Sequence, residues 1–240
     1  MRRLILFAAA ATSLASCSTT LYVPNTVNAP LLKEKGEVKI VVNSTEIQGA
    51  VAVTNHIGVM ANGYYRDYKN GDYEHSGGLG EVGIGLFRSM AEDPFILECF
   101  AGAGLGNVNK SEVLMEGSSS RTRSFEAHGE RFFLQPEVGY SGKVFDIALS
   151  PRFTLLKYNS FNSNNYTAAE LAEDYLENGY LTNRMFAFSE PAVTVRMGWK
   201  WIKLQGQYGM AINIGGGQLR YPKNFSSLAL VIDIAKWYRG

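Results

Sequence analysis

Residues 201–214, WIKLQGQYGMAINI, place Ile202, Leu204, Tyr208, Met210, Ile212 and Ile214 on one side of an alternating pattern, interrupted only by Gly206. Lys203, Gln205, Gln207, Gly209, Ala211 and Asn213 take the other side. A period of two is that of a strand. At about 3.3 Å per residue the stretch reaches roughly 45 Å, enough for a tilted strand to cross a bilayer and project beyond it. Similar runs occupy 37–43, 47–54, 57–67, 78–90, 95–108, 131–142, 144–158, 185–199 and 225–236. Short links follow the second, fourth, sixth and eighth of the ten runs, at Asn55-His56, Ala91 to Pro94, Lys143 and Lys200. The others, around 44–46, 68–77, 109–130, 159–184 and 215–224, are mostly long, polar and rich in Gly, Ser or Asn. An even strand number with tight turns at one end and long loops at the other predicts an all-β fold. Its form is a single antiparallel up-and-down transmembrane β-barrel of about ten strands, with both chain ends on the short-turn, periplasmic side.

The two faces differ in kind. One collects Val53, Ile57, Val82, Ile84, Leu86, Leu97, Leu134, Ile147, Leu149, Val193, Leu204, Leu230 and Ile232. The other carries glycines such as Gly83, Gly85, Gly102, Gly104 and Gly139 beside charges of both signs. A water-facing exterior avoids glycine within strands, whereas a narrow interior crowds its side chains, so the polar face is expected inside. The lumen candidates are Arg66, Glu81, Glu98, Glu137, Asp146, Arg152, Glu190, Arg196, Lys203 and Asp233. Their near-balanced charge predicts an ion-paired filling, and a barrel of about ten strands is too narrow for a porin channel. A soluble lipocalin-type barrel binding a hydrophobic ligand has the same period with the faces reversed, and is the alternative.

The amino terminus carries a different signal. Arg2 and Arg3 precede the apolar run Leu4 to Leu14, and Leu14-Ala15-Ser16-Cys17 resembles the lipobox of bacterial lipoproteins. This predicts a signal peptide over 1–16, lipidation at Cys17, a tether over 17–36 interrupted by Pro24 and Pro30, and the barrel over 37–240. With Cys17 lipidated no internal disulfide is possible, so Cys99 is expected as a small apolar packing residue. The formal charge of +1 becomes −1 without Arg2 and Arg3, which leaves no electrostatic footprint for nucleic acid. Trp199, Trp201, Trp237, Tyr238 and Phe95 suggest one aromatic girdle, and Tyr64, Tyr65, Tyr68 and Tyr158 its counterpart.

With these features, residues 37–240 resemble the small outer-membrane β-barrel superfamily. Cys17, followed by Tyr-Val-Pro-Asn at 22–25 and by Pro30-Leu31-Leu32, is similar to the lipoprotein-tethered barrels of Bacteroidetes-type bacteria. The resemblance implies an outer-membrane location in a Gram-negative envelope, contact with outer-membrane lipid, and an envelope protein partner at the outer loops. One departure is the ending Trp237-Tyr238-Arg239-Gly240, where barrels of this class usually finish on an aromatic residue.

Catalytic signals are sparse, and no cofactor, metal site or enzymatic activity is expected. His75 with Asp72 and Glu74, or His128 with Glu126 and Glu130, would be the acid–base or metal candidates of a rim-active hydrolase, a further alternative. In the loop 159–184, Thr167 with Glu170 makes a capping box and Asn178-Gly179 a stop. They predict a short helix covering the mouth, with Glu170, Glu173, Asp174 and Glu177 exposed. The 109–130 stretch, with Arg121 and Arg123, is expected as a basic, mobile loop.

Overall fold

A membrane-crossing strand has no water for its backbone groups, so every strand must pair on both sides and the sheet must close. The computed structural model, which describes residues 20–89, 94–199 and 201–234, is such a closed antiparallel sheet. Its strands are β1 (Val38–Val42), β2 (Glu46–Ala52), β3 (Ile57–Asn70), β4 (Tyr73–Ser89), β5 (Phe95–Glu116) and β6 (Ser119–Ser141). They continue as β7 (Phe145–Asn164), β8 (Met185–Trp199), β9 (Ile202–Met210), β10 (Ile212–Gly215) and β11 (Asn224–Asp233). Neighbours pair in chain order from β1 to β9, then β9 with β11 and β11 with β1. The short β10 continues β9 beyond Ala211 and pairs with β8. The result is a ten-strand barrel with one extra strand. Two helical turns, α1 (Ala168–Glu173) and α2 (Asn178–Thr182), lie between β7 and β8.

The wall is uneven, which corrects two expected loops. β3 and β4 pair without a break to Asn70↔Tyr73, and β5 and β6 to Glu116↔Ser119. Stretches 68–77 and 109–130 are therefore hairpin tips. Gly71 at φ 57° and Gly117 at φ 66° make the turns that a side chain with Cβ would strain. Polar residues disguised these strands because the tips leave the apolar band. Phe125 and Ala127 point inward there while Glu126 and His128 face out, so polarity reverses without any change of period. β5 and β6 run 22 and 23 residues, whereas β1 and β2 run 5 and 7. A tall side and a low side result at this extended end.

Around the membrane-sized part the aliphatic side chains face out. Val82, Ile84, Leu204 and Leu228 are 60–74% exposed, and Ile202 is exposed with them. Cys99 also lies on this outer face between Leu97 and Ala101, so it packs nothing inside. Phe95, Trp199 and Trp201 are exposed near the short turns, and Tyr65 and Tyr68 toward the extended end. Tyr158 departs from the expected girdle: it is buried in the interior. Trp237 and Tyr238 lie outside the described residues.

Candidate functional site: a lumen threaded by the amino-terminal segment

The segment expected as a tether fills the barrel. Residues 21–32 are buried except the half-buried Val23. Pro24 and Pro30 bar helix formation here, because each lacks an N–H and restricts the residue before it. An extended strand inside the lumen has no neighbouring strand, so side chains must satisfy its backbone. The wall supplies them. Gln207 Oε1 accepts from Val27 N at 2.8 Å and its Nε2 donates to Val27 O at 2.8 Å, imitating one rung of a ladder. Gln48 donates to Thr26 O (3.0 Å), Gln135 to Asn28 O (2.6 Å) and Arg196 to Ala29 O. Glu98 accepts both Leu31 N (2.9 Å) and Leu32 N (2.6 Å), and Lys39 donates to Leu31 O. These bonds hold Leu31 at φ 53°, a conformation that costs a bulky residue on the order of 1–3 kcal/mol. Two glycines make room: a Cβ on Gly139 would lie 2.4 Å from Leu31 Cδ2, and one on Gly58 2.6 Å from Leu32 Cδ1.

A four-charge cluster sits nearer the extended end. Glu81 pairs with Arg152 at 2.5 Å and with Arg131 at 3.4 Å, and Arg131 pairs with Glu190 at 2.9 Å. The threaded segment joins in: Asn25 bridges Arg131 (2.6 Å) and Glu81 (3.2 Å), and the Tyr22 hydroxyl donates to Glu190. Lower in the lumen Lys203 meets Asp146 at 2.6 Å, Ser150 donates to Glu137 at 2.7 Å, Arg196 donates to Gln205 at 2.8 Å, and Asp233 is buried opposite Lys39. Of the ten lumen candidates, nine are buried: Glu81, Glu98, Glu137, Asp146, Arg152, Glu190, Arg196, Lys203 and Asp233. Arg66 departs. It lies exposed on β3 above the low rim, its guanidinium 5.6 Å from the Tyr64 ring centre. Arg131, Lys39 and the polar residues 22–28 were missed; for Arg131 the signal was its parity with Gln135 and Glu137 on the same strand.

Beyond this cluster the interior becomes apolar. Leu21, Tyr22, Val108, Phe125, Tyr158, Phe161, Phe186 and Phe188 pack together under Leu176 and Leu181 from the helical segment. Tyr22 stacks on Phe188 at a centroid distance of 4.6 Å. The capping box at Thr167 and Glu170 forms, but Asn178-Gly179 begins α2 rather than ending a helix. Glu170, expected exposed, is partly buried and held by Arg121 (2.8 Å) and Arg123 (3.0 Å) from the β5–β6 hairpin, and Arg123 also binds Glu112. The bond from Arg121, ahead of that from Thr167, holds the Glu170 carboxyl down at about 2. On the low side, Arg220 pairs with Asp174 at 3.4 Å. Opposite charges thus fasten the helical segment across this mouth to a hairpin whose contact with it could not be derived from the sequence.

A cavity of about 80 Å³ lies between Tyr22, Tyr64, His75, Arg131 and Tyr158, the share of roughly three water molecules. His75 lines it, and burial, then the charges of Lys110 and Arg66, hold it below the usual imidazole range. Among the described residues His75 bonds no carboxylate; Glu74 pairs with Lys69 instead (3.5 Å). His128 meets Glu126 at 2.9 Å, with both side chains about half exposed on the outer surface, and Glu130 turns to Lys157 at 3.8 Å. His56 is exposed in a turn. No group of three His, Cys, Asp or Glu side chains suited to a metal ion occurs among the described residues. Cys17, the expected lipidation site, lies outside them.

Comparison with known protein families, characterised proteins and solved structures returned no match.

Proposed function

We propose that this chain is an outer-membrane β-barrel lipoprotein whose own amino-terminal segment closes its lumen, and that it serves the envelope as a structural or assembly component rather than as a catalyst or channel. The observation that carries this reading is the distribution of polarity. Leu204 is 60% exposed on the outside of the wall while its neighbours Lys203 and Gln205 are 5% and 1% exposed inside. Such an exterior suits hydrocarbon, since a soluble monomer rarely exposes contiguous apolar patches above a few hundred Å². The lipocalin-like alternative needs those same aliphatic side chains lining a ligand chamber, whereas the interior is occupied by residues 21–32. A plugged lumen supports a role at the surfaces and rims, where a protein partner can reach the hairpin tips and the helical segment. The rim-hydrolase alternative has less support, because the side chains of His128 and Glu126 are both about half exposed on the outer surface.

The test is membrane extraction of the parent chain and of Cys17→Ala. Both are expected to stay with the membrane through alkaline carbonate and to migrate anomalously when unboiled. Release of Cys17→Ala into the carbonate supernatant would sink the barrel reading.

A further inference from the structure

The path of the threaded segment fixes the side on which the amino terminus emerges. We infer that the lipid carried by Cys17 enters the membrane at the extended end of the barrel, the end of the Gly117 hairpin, and not at the short-turn end where β1 starts. This rests on the lipoprotein reading above and adds the side of the anchor, reversing the sequence expectation that both chain ends share the short-turn side.

Two fixed points define the direction. At one, Leu21 N and Tyr22 N donate to Arg220 O at 3.1 and 3.4 Å, in the link between β10 and β11, and the Tyr158 hydroxyl donates to Leu21 O at 3.2 Å. At the other, Glu98 grips Leu31 and Leu32, and the Lys33 ammonium donates to Ser141 O beside the short turn between β6 and β7. On β5 these points correspond to Val108, which packs with Leu21, and Glu98, ten residues apart. At about 3.3 Å per residue and a tilt near 40°, they stand roughly 25 Å apart along the barrel axis. Three peptide links join Thr20 to Cys17 and reach at most about 11 Å. Cys17 therefore cannot return to the short-turn end, and the lumen it would have to retrace is already filled.

The uneven wall gives the anchor a way out. Thr26 donates to Glu46 at the rim of β1 and β2, so the chain before residue 26 already stands above the low side. An acyl chain leaving there meets a leaflet bordered by Val42 and Ile47, both exposed on the outer face. The segment is then held at both ends, by lipid at one mouth and by β1 in the wall at the other.

The experiment uses the full chain in cells fed an alkynyl fatty acid, with a site-specific protease sequence inserted either between Thr19 and Thr20 or at Gly117. Cleavage is followed on intact cells and after the outer membrane is opened. The two sites are expected to become accessible together, and cutting at 19/20 is expected to strip essentially all the acyl label from the barrel. If one site is cut on intact cells and the other only after opening, the anchor sits at the opposite end and the inference fails while the barrel reading stands. If the parent chain takes up no label, or loses none in Cys17→Ala, the lipoprotein reading itself fails and takes the inference with it.

Discussion

Arg152 and Glu81 show how unevenly a buried ion pair distributes its importance. Arg152 is fully buried; its Nη2 meets Glu81, while its Nε and Nη1 find no hydrogen-bond partner among the described residues. Its guanidinium lies 4.1 Å from the Phe133 ring centre. Glu81, by contrast, serves Arg152, Arg131 and Asn25 together. Neutralising Glu81 strands a buried guanidinium, so Glu81→Gln is expected to cost about 3–5 kcal/mol. Arg152→Met keeps the volume, removes the unpaired donors and leaves Glu81 with Arg131, for an expected change within about 1 kcal/mol. Urea unfolding of the barrel in lipid, followed by the loss of anomalous migration, measures both. Equal destabilisation by the two variants would show that Arg152 is held by more than Glu81.

At the scale of elements, the helical segment between β7 and β8 is fastened by charge as much as by packing. Glu170 joins α1 to Arg121 and Arg123, and its carboxyl titrates near 2 against an ordinary value of 4.5. A depressed folded value means a contribution present above about 4.5 and lost as the pH falls toward 2, so the clamp is expected to persist through mild acid. Limited pepsin digestion within 165–184 should be slow at pH 4 and accelerate several-fold toward pH 2, and Glu170→Gln should be cut rapidly at both. The capping box was legible because Thr167 and Glu170 are three residues apart; the clamp was not, because Arg121 lies 49 residues from Glu170 and only the unexpectedly long β5–β6 hairpin brings them together. The same holds for the plug. Strand faces announce themselves through alternation because each meets two different media. Residues 21–32, Val23 apart, are buried whichever way their side chains point, so no side of the chain is polar by default and no period appears. Glu98 and Gln207 could be placed inside the lumen, but not the backbone they bind.

At the scale of the whole molecule, the proposed function turns on whether the outer surface meets hydrocarbon, and Cys99 reports on that directly. It is exposed on β5, four residues after the strand begins at Phe95, across from Leu86 on β4 and Pro136 on β6, with Leu97 and Ala101 on the same apolar face. Ser150 on β7 points into the filled lumen and is fully buried. A nitroxide placed on Cys99, in a Cys17→Ser background and in lipid bilayers, samples whatever surrounds the wall. Apolar oxygen concentrates in the bilayer core while a polar nickel chelate stays in water, so a lipid-facing label collides far more with the former. The expected result is a strong excess of oxygen collisions at position 99. A control label at the Gly117 tip, which stands beyond the apolar band, should favour the chelate. Were Cys99 instead to favour the chelate, the aliphatic exterior would face water, and the ion pairs inside would belong to a soluble barrel of unusual surface. The comparison separates the two because the alternating pattern is common to both, and only the medium on the outer face differs.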